Sequence, residues 1–130
     1  MYDKRSYIRY VAQGRIIFKP EGDAAKALEG QLLDIGFLGL SAFLKEGPDL
    51  NAIVSFELIV DFNRQRLLGK GKISHVTAQE LRAEKGFKIG LKFIEIDKDE
   101  IVGLLNNIQA EICRETRKRW ESKLRDVGPF

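Results

Sequence analysis

The chain has 130 residues, enough for one hydrophobic core and too few for two domains of ordinary size. Its 44% apolar and 32% charged residues are ordinary globular composition, there is no low-complexity tract, and no apolar run is long enough to cross a bilayer. The formal charge of +3 is too small for a general nucleic-acid coat, so no direct DNA binding is expected.

The charge is unevenly spread. Residues 1–19 hold five basic groups against one acid, and residues 111–125 hold six against three. The stretch between them, residues 20–110, is net acidic. Two separate basic ends suit a local anion site or a contact surface better than a continuous groove that tracks a nucleic-acid backbone. No signal peptide opens the chain, so a cytoplasmic location is expected. The single Cys113 and the single His75 lie far apart, which argues against a transition-metal site. Cys113 falls among apolar residues of a helical pattern and reads as a buried, inert thiol.

Taken in order, residues 1–9 precede any strand pattern and read as an extended or irregular arm. Within it Lys4 stands before Arg5-Ser6-Tyr7-Ile8-Arg9. Arginine keeps its charge at all relevant pH, and its planar fork matches phosphate oxygens and the O6/N7 edge of guanine. From Tyr10 the pattern is that of a strand, with Ala12, Ile16 and Phe18 on one face, and Lys19-Pro20 ends it. Residues 21–26 read as a polar loop. Residues 28–34 and 38–44 form the second and third strands, joined through Asp34-Ile35-Gly36-Phe37-Leu38-Gly39, and Glu46-Gly47-Pro48-Asp49 is a strong turn.

The fourth strand is the clearest. Val54, Phe56, Leu58, Val60 and Phe62 alternate with Ser55, Glu57, Ile59 and Asp61, which predicts one buried and one wet face. Asn63-Arg64-Gln65 reads as a hairpin turn, and a fifth strand covers residues 67–76. Gly69 and Gly71 share one of its faces and suggest close packing at a barrel corner. His75 reads as a half-exposed strand residue with no catalytic part. In the sixth strand Phe87, Ile89, Leu91 and Phe93 alternate with Lys88, Gly90 and Lys92. Six antiparallel strands with short turns predict a small closed barrel, because closure removes exposed edges.

At Asp97 the apolar period lengthens from two to about 3.6, with Asp97 as N-cap and Asp99-Glu100 in the first turn. Ile101, Leu104, Leu105, Ile108 and Ile112 form a stripe expected to pack on the barrel. Beyond Cys113 the helix is basic, with Trp120 and Leu124 its only large apolar residues, and Gly128-Pro129 ends it. That half either projects into solvent or docks on a partner subunit. It lacks the broad apolar face of a membrane-surface helix.

Arg5-Ser6-Tyr7-Ile8-Arg9 ahead of a six-stranded barrel, followed by Asp34, Gly36 and Gly39 between the second and third strands, resembles the PilZ domain family. That family carries an Arg-x-x-x-Arg arm and an (Asp/Asn)-x-(Ser/Ala)-x-x-Gly motif at these places. Gly86 to Phe93 is similar to the family's last barrel strand, and the C-terminal helix follows as it does there. The resemblance implies a single PilZ-like domain over residues 1–130: arm 1–9, all-β barrel 10–96 and helix 97–125. It implies a cyclic di-GMP receptor, with Arg5 and Arg9 on phosphates and guanine edges and Asp34 accepting from a guanine N1/N2 edge. Gly39 would allow close backbone approach, and Lys4 is an additional candidate. Gly36 departs from the family's Ser/Ala, which removes a hydroxyl and adds backbone freedom costing about 0.5–1 kcal/mol on ordering.

No enzyme is expected, since the chain has neither a Ser/His/Asp grouping, nor paired carboxylates at a useful spacing, nor a phosphate-binding loop. The expectation is a receptor that moves its arm on binding and signals to a partner protein, without a cofactor. The alternative is a ligand-independent interaction module, a homo-oligomer formed through the basic C-terminal helix.

Overall fold

The computed structural model describes residues 8–21 and 26–127. Seven strands and one helix follow in order. They are β1 (Arg9–Val11), β2 (Gly14–Pro20), β3 (Leu28–Gly36), β4 (Gly39–Leu44), β5 (Ile53–Val60), β6 (Arg66–Leu81), β7 (Glu84–Ile96) and α1 (Lys98–Val127).

All neighbouring strands are antiparallel. The order β3-β2-β5-β6-β7-β4 returns to β3, which closes a six-stranded barrel. The predicted barrel is therefore present, with β1 as an additional outer strand. One predicted strand from Tyr10 to Pro20 is two strands in the fold. β2 pairs with residues 28–31 of β3 and β1 with residues 34–36 of it. The chain steps sideways at Ala12-Gln13, where the Gln13 carbonyl accepts from Asp61 N at 3.0 Å. Arg9, expected in an irregular arm, is the first residue of β1.

The barrel closes because alternate residues point inward. Ile16, Phe18, Leu32, Ile35, Leu40, Leu44, Leu58, Leu67, Ile73 and Ile89 are all fully or almost fully buried. Each such side chain contributes roughly 1.5–3 kcal/mol of transfer free energy. The predicted alternation of β5 is observed from Val54 to Val60, but the strand ends there. Phe62 lies in the following turn and is 43% exposed, contrary to the expectation of a core residue. The β6–β7 register shifts between Lys70 and Gly71, where Ile94 is the extra residue on β7, and a Cβ on Gly71 would press on the Leu91 side chain.

Strands β6 and β7 run well past the predicted ends and pair to Leu81↔Glu84. Their two-residue turn is Arg82-Ala83, both at positive φ, 51° and 66°. Primed hairpin turns demand that conformation, and glycine or asparagine usually supplies it.

Asp97 caps α1, its Oδ1 accepting from Glu100 N at 3.0 Å. Ile101, Leu104 and Ile108 are buried against the barrel, and Asn107 Nδ2 donates to Gln65 Oε1 at 2.9 Å. Contact ends there. Ile112, placed in the buried stripe by its spacing, is 38% exposed, and Cys113, expected to be buried, is exposed. Helical periodicity continues past the point where the straight helix leaves the curved barrel wall. No helix among the described residues is long and apolar enough to cross a membrane.

Candidate functional site

Asp34 reaches the outer face through a local irregularity. β3 pairs Leu32 with Ala42 and then, after a bulge, Asp34 with Ser41. Strict alternation would put Asp34 opposite Leu40, inside the barrel. The extra residue, Leu33, reverses the parity, so Ile35 turns inward and Asp34 outward.

Arg9 lies opposite Gly36 on β3 and therefore diagonal to Asp34. The absence of a side chain at Gly36 leaves room for it. A Cβ there would stand 3.0 Å from the Ile8 carbonyl oxygen and 3.2 Å from Arg9 Cγ. Arg9 Nε donates to Asp34 Oδ1 at 2.9 Å, and its Nη2 lies 2.6 Å from the same oxygen. Nη2 also donates to Ser41 Oγ at 3.0 Å, which accounts for the one buried polar residue in the barrel wall, Ser41 at 8% exposure. Among the described residues, Nη1 and Asp34 Oδ2 have no side-chain partner. The Arg9 and Asp34 side chains are 48% and 26% exposed, so solvent screens the pair and it is worth about 0.2–1 kcal/mol.

Gly39 serves the barrel as well as lining the cleft beside Arg9. A Cβ on it would fall onto the Leu91 carbonyl oxygen of β7. The close approach that it permits is the β4–β7 ladder, in which Gly39 pairs with Lys92.

Beside the Arg9–Asp34–Ser41 cluster lies a cleft of about 450 Å³. Its floor is a row of neighbours across three strands, Ser41, Gly90 and His75. Gly90 keeps the row flat. Ser74 Oγ donates to the Gly90 carbonyl at 3.1 Å and lies 3.2 Å from His75 Nδ1. Lys88 and Lys92, two residues to either side of Gly90, are exposed along the rim. Among the described residues, Arg9, Lys88 and Lys92 give this face three basic side chains against one acid, Asp34, an arrangement that favours an anionic ligand with hydrogen-bonding edges.

Of the predicted site residues, Arg9, Asp34 and Gly36 are brought together, and Gly39 lines the same cleft. Arg5 and Lys4 lie outside the described residues. Sequence reasoning missed Ser41, His75, Lys88 and Lys92. The wet-face alternation of β7 had exposed both lysines, but only the β4–β7 pairing puts them next to Ser41. Among the described residues, no cluster of three His, Cys, Asp or Glu side chains could hold a metal ion.

No family sequence model and no curated protein sequence matches the chain. Solved structures that share its fold include three PilZ-type proteins. The PilZ domain of YcgR from Escherichia coli, solved with c-di-GMP, is 13% identical with a TM-score of 0.67, over 92% of this chain and 98% of that one. MotI/DgrA, an inhibitor of motility from Bacillus subtilis, is 16% identical with a TM-score of 0.67 over 91% of this chain. The MrkH–c-di-GMP complex of K. pneumonia is 14% identical with a TM-score of 0.64 over 88%. The chain spans only 54% of MotI/DgrA and 57% of MrkH. The closed six-stranded barrel with its outer strand and C-terminal helix is the fold of a PilZ domain.

Proposed function

We propose that the chain is a receptor for cyclic di-GMP and that the ligand sits on the outer barrel face beside Arg9 and Asp34. The observation that carries this reading is the Arg9–Asp34–Ser41 cluster at one end of a cation-rimmed cleft. It stands on a fold whose solved examples include two complexes with that dinucleotide.

The ligand has two phosphates and two guanines. Its phosphates call for charge-assisted donors, and each guanine presents O6 and N7 to a guanidinium fork and N1–H and N2–H to a carboxylate. Arg9 supplies the fork and Asp34 the acceptor. Their present pairing is a weak, half-exposed contact, so turning Arg9 toward a ligand costs about 1–2 kcal/mol, the Ser41 hydrogen bond included. Asp34 meanwhile holds Arg9 over the wall instead of leaving it to rotate in solvent. Lys88 and Lys92 add positive potential at the rim. Ser41 supplies a hydroxyl at the cluster where Gly36 has none. Arg5 and Lys4, which precede β1 in sequence, complete the set of phosphate and guanine donors. Gly36 lowers the affinity without abolishing it.

In this reading the protein does no chemistry of its own. Binding draws the segment ahead of Ile8 onto the wall, and a partner protein reads the surface so formed. Calorimetric titration with cyclic di-GMP, in parallel with cyclic di-AMP, tests the proposal. Adenine lacks both the O6 acceptor and the N1–H and N2–H donors, so only the guanine ligand should bind, with a defined number per chain. Equal heats from both dinucleotides, or none from either, would reject it.

A further inference from the structure

Where α1 leaves the barrel, a second cleft of about 420 Å³ opens between the helix, the β1–β2 link and the turn after β5. Its apolar lining is only partly covered: Val11 is 78% exposed, Phe62 43% and Ile112 38%, with Ile108 buried at the base. Its rim is acidic. Glu111 is engaged by Arg114 at 2.6 Å, whereas Asp61 and Glu115 form no ion pair among the described residues.

The helix beyond it is the chemical complement. From Ile112 to Lys123 every residue is exposed, with Arg114, Arg117, Lys118, Arg119 and Lys123 surrounding Trp120. Trp120 is 62% exposed, and the Lys123 ammonium lies over its ring, 5.7 Å from the centroid. Trp and Arg are the residue types most enriched among interface anchors.

The cleft and the anchor cannot meet within one molecule, because both belong to one straight helix. Ile112 at the cleft and Trp120 are eight residues apart, which is about 12 Å along the axis. Ile112, Thr116 and Trp120 succeed one another at i, i+4 and i+8 and lie along one side of the helix. A second copy laid antiparallel, with its two-fold axis at Thr116, sets each Trp120 against the other copy's Ile112. In the same register Arg119 of each copy faces Glu115 of the other. The contact is self-complementary, as a two-fold interface requires, and it closes.

We propose that the acidic apolar cleft at the base of α1 receives Trp120 and Arg119 of a second copy of this chain, forming an antiparallel helix-paired dimer. The cleft shares no lining residue with the Arg9–Asp34 face, although both draw on β1, Val11 for the one and Arg9 for the other.

Sedimentation equilibrium of the full chain tests it. The unmodified protein should be a dimer at micromolar concentration, and Trp120→Ala should raise the dissociation constant about tenfold or more. Glu115→Arg alone should also weaken the dimer, and adding Arg119→Glu should restore it. Under oxidising conditions Thr116→Cys in a Cys113→Ser background should give a covalent dimer. A protein monomeric up to its solubility limit, or a dimer indifferent to Trp120→Ala, overturns the proposal. A dimer that neither the charge exchange restores nor the new cysteine cross-links overturns the antiparallel register.

Discussion

Replacing Arg9 by alanine separates folding from binding with unusual clarity, because the structure bounds both effects. For folding, the variant loses a half-exposed ion pair to Asp34 and one hydrogen bond to Ser41, whose hydroxyl becomes accessible to water once uncovered. That loss is about 1–2 kcal/mol, or a fall in Tm of about 3–10 °C for a chain of this size. For binding, the variant loses a guanidinium fork. Such a contact discriminates by about 1–3 kcal/mol, so the affinity for cyclic di-GMP should fall about 5- to 150-fold. Arg9→Lys keeps the charge without the fork and should fall between the two. Differential scanning calorimetry and calorimetric titration on the same preparations measure both quantities. An Arg9→Ala protein that melts within a few degrees of the parent and binds with undiminished affinity would refute the assignment of the ligand to this face.

Lys88→Glu should lower the same affinity about fivefold at low ionic strength, an effect that shrinks as salt approaches ~0.15 M; a salt series of titrations reads it. Gly39→Ala should destabilise the fold by about 1–3 kcal/mol with no ligand present, because its Cβ meets the Leu91 carbonyl; unchanged urea unfolding would show that the β4–β7 ladder tolerates it. Ala83→Gly should stabilise by about 1 kcal/mol, since Ala83 holds a φ of 66° that an L side chain resists, and thermal unfolding should show a higher Tm. Leu104→Ala removes a fully buried anchor of α1 and should cost about 2.7–5 kcal/mol, read as a lower urea midpoint at constant slope.

The barrel was legible in the sequence wherever one face of a strand is wet. Val54 to Val60 and Phe87 to Phe93 announced themselves by strict alternation. The far end of the β6–β7 hairpin did not, because residues 77–80 carry no inward apolar set and Arg82-Ala83 lacks the glycine or asparagine that marks a tight turn. The split between β1 and β2 was hidden for a related reason: both stretches favour extended backbone, and the sideways step depends on pairing with β3. Ile112 and Cys113 were misread as buried because periodicity reports which residues share a face of a helix, not where its support ends. At the candidate site, the Arg9 and Asp34 signals were local motifs. Ser41, Lys88 and Lys92 join them through strands 43 to 53 residues apart in sequence, as the register from Gly39↔Lys92 to Leu44↔Phe87 requires.

Strand β1 is held by three residues along a single edge of β3. Its amides should therefore exchange with solvent through brief local release, at a small fraction of the free energy needed to open the barrel. A molecule that bridges Arg9 to the wall adds its own binding free energy to that release, as RT ln(1 + [L]/Kd). Deuterium uptake at Tyr10 and Val11 thus doubles as an occupancy gauge, falling as the site fills while the amides of β5 stay unchanged.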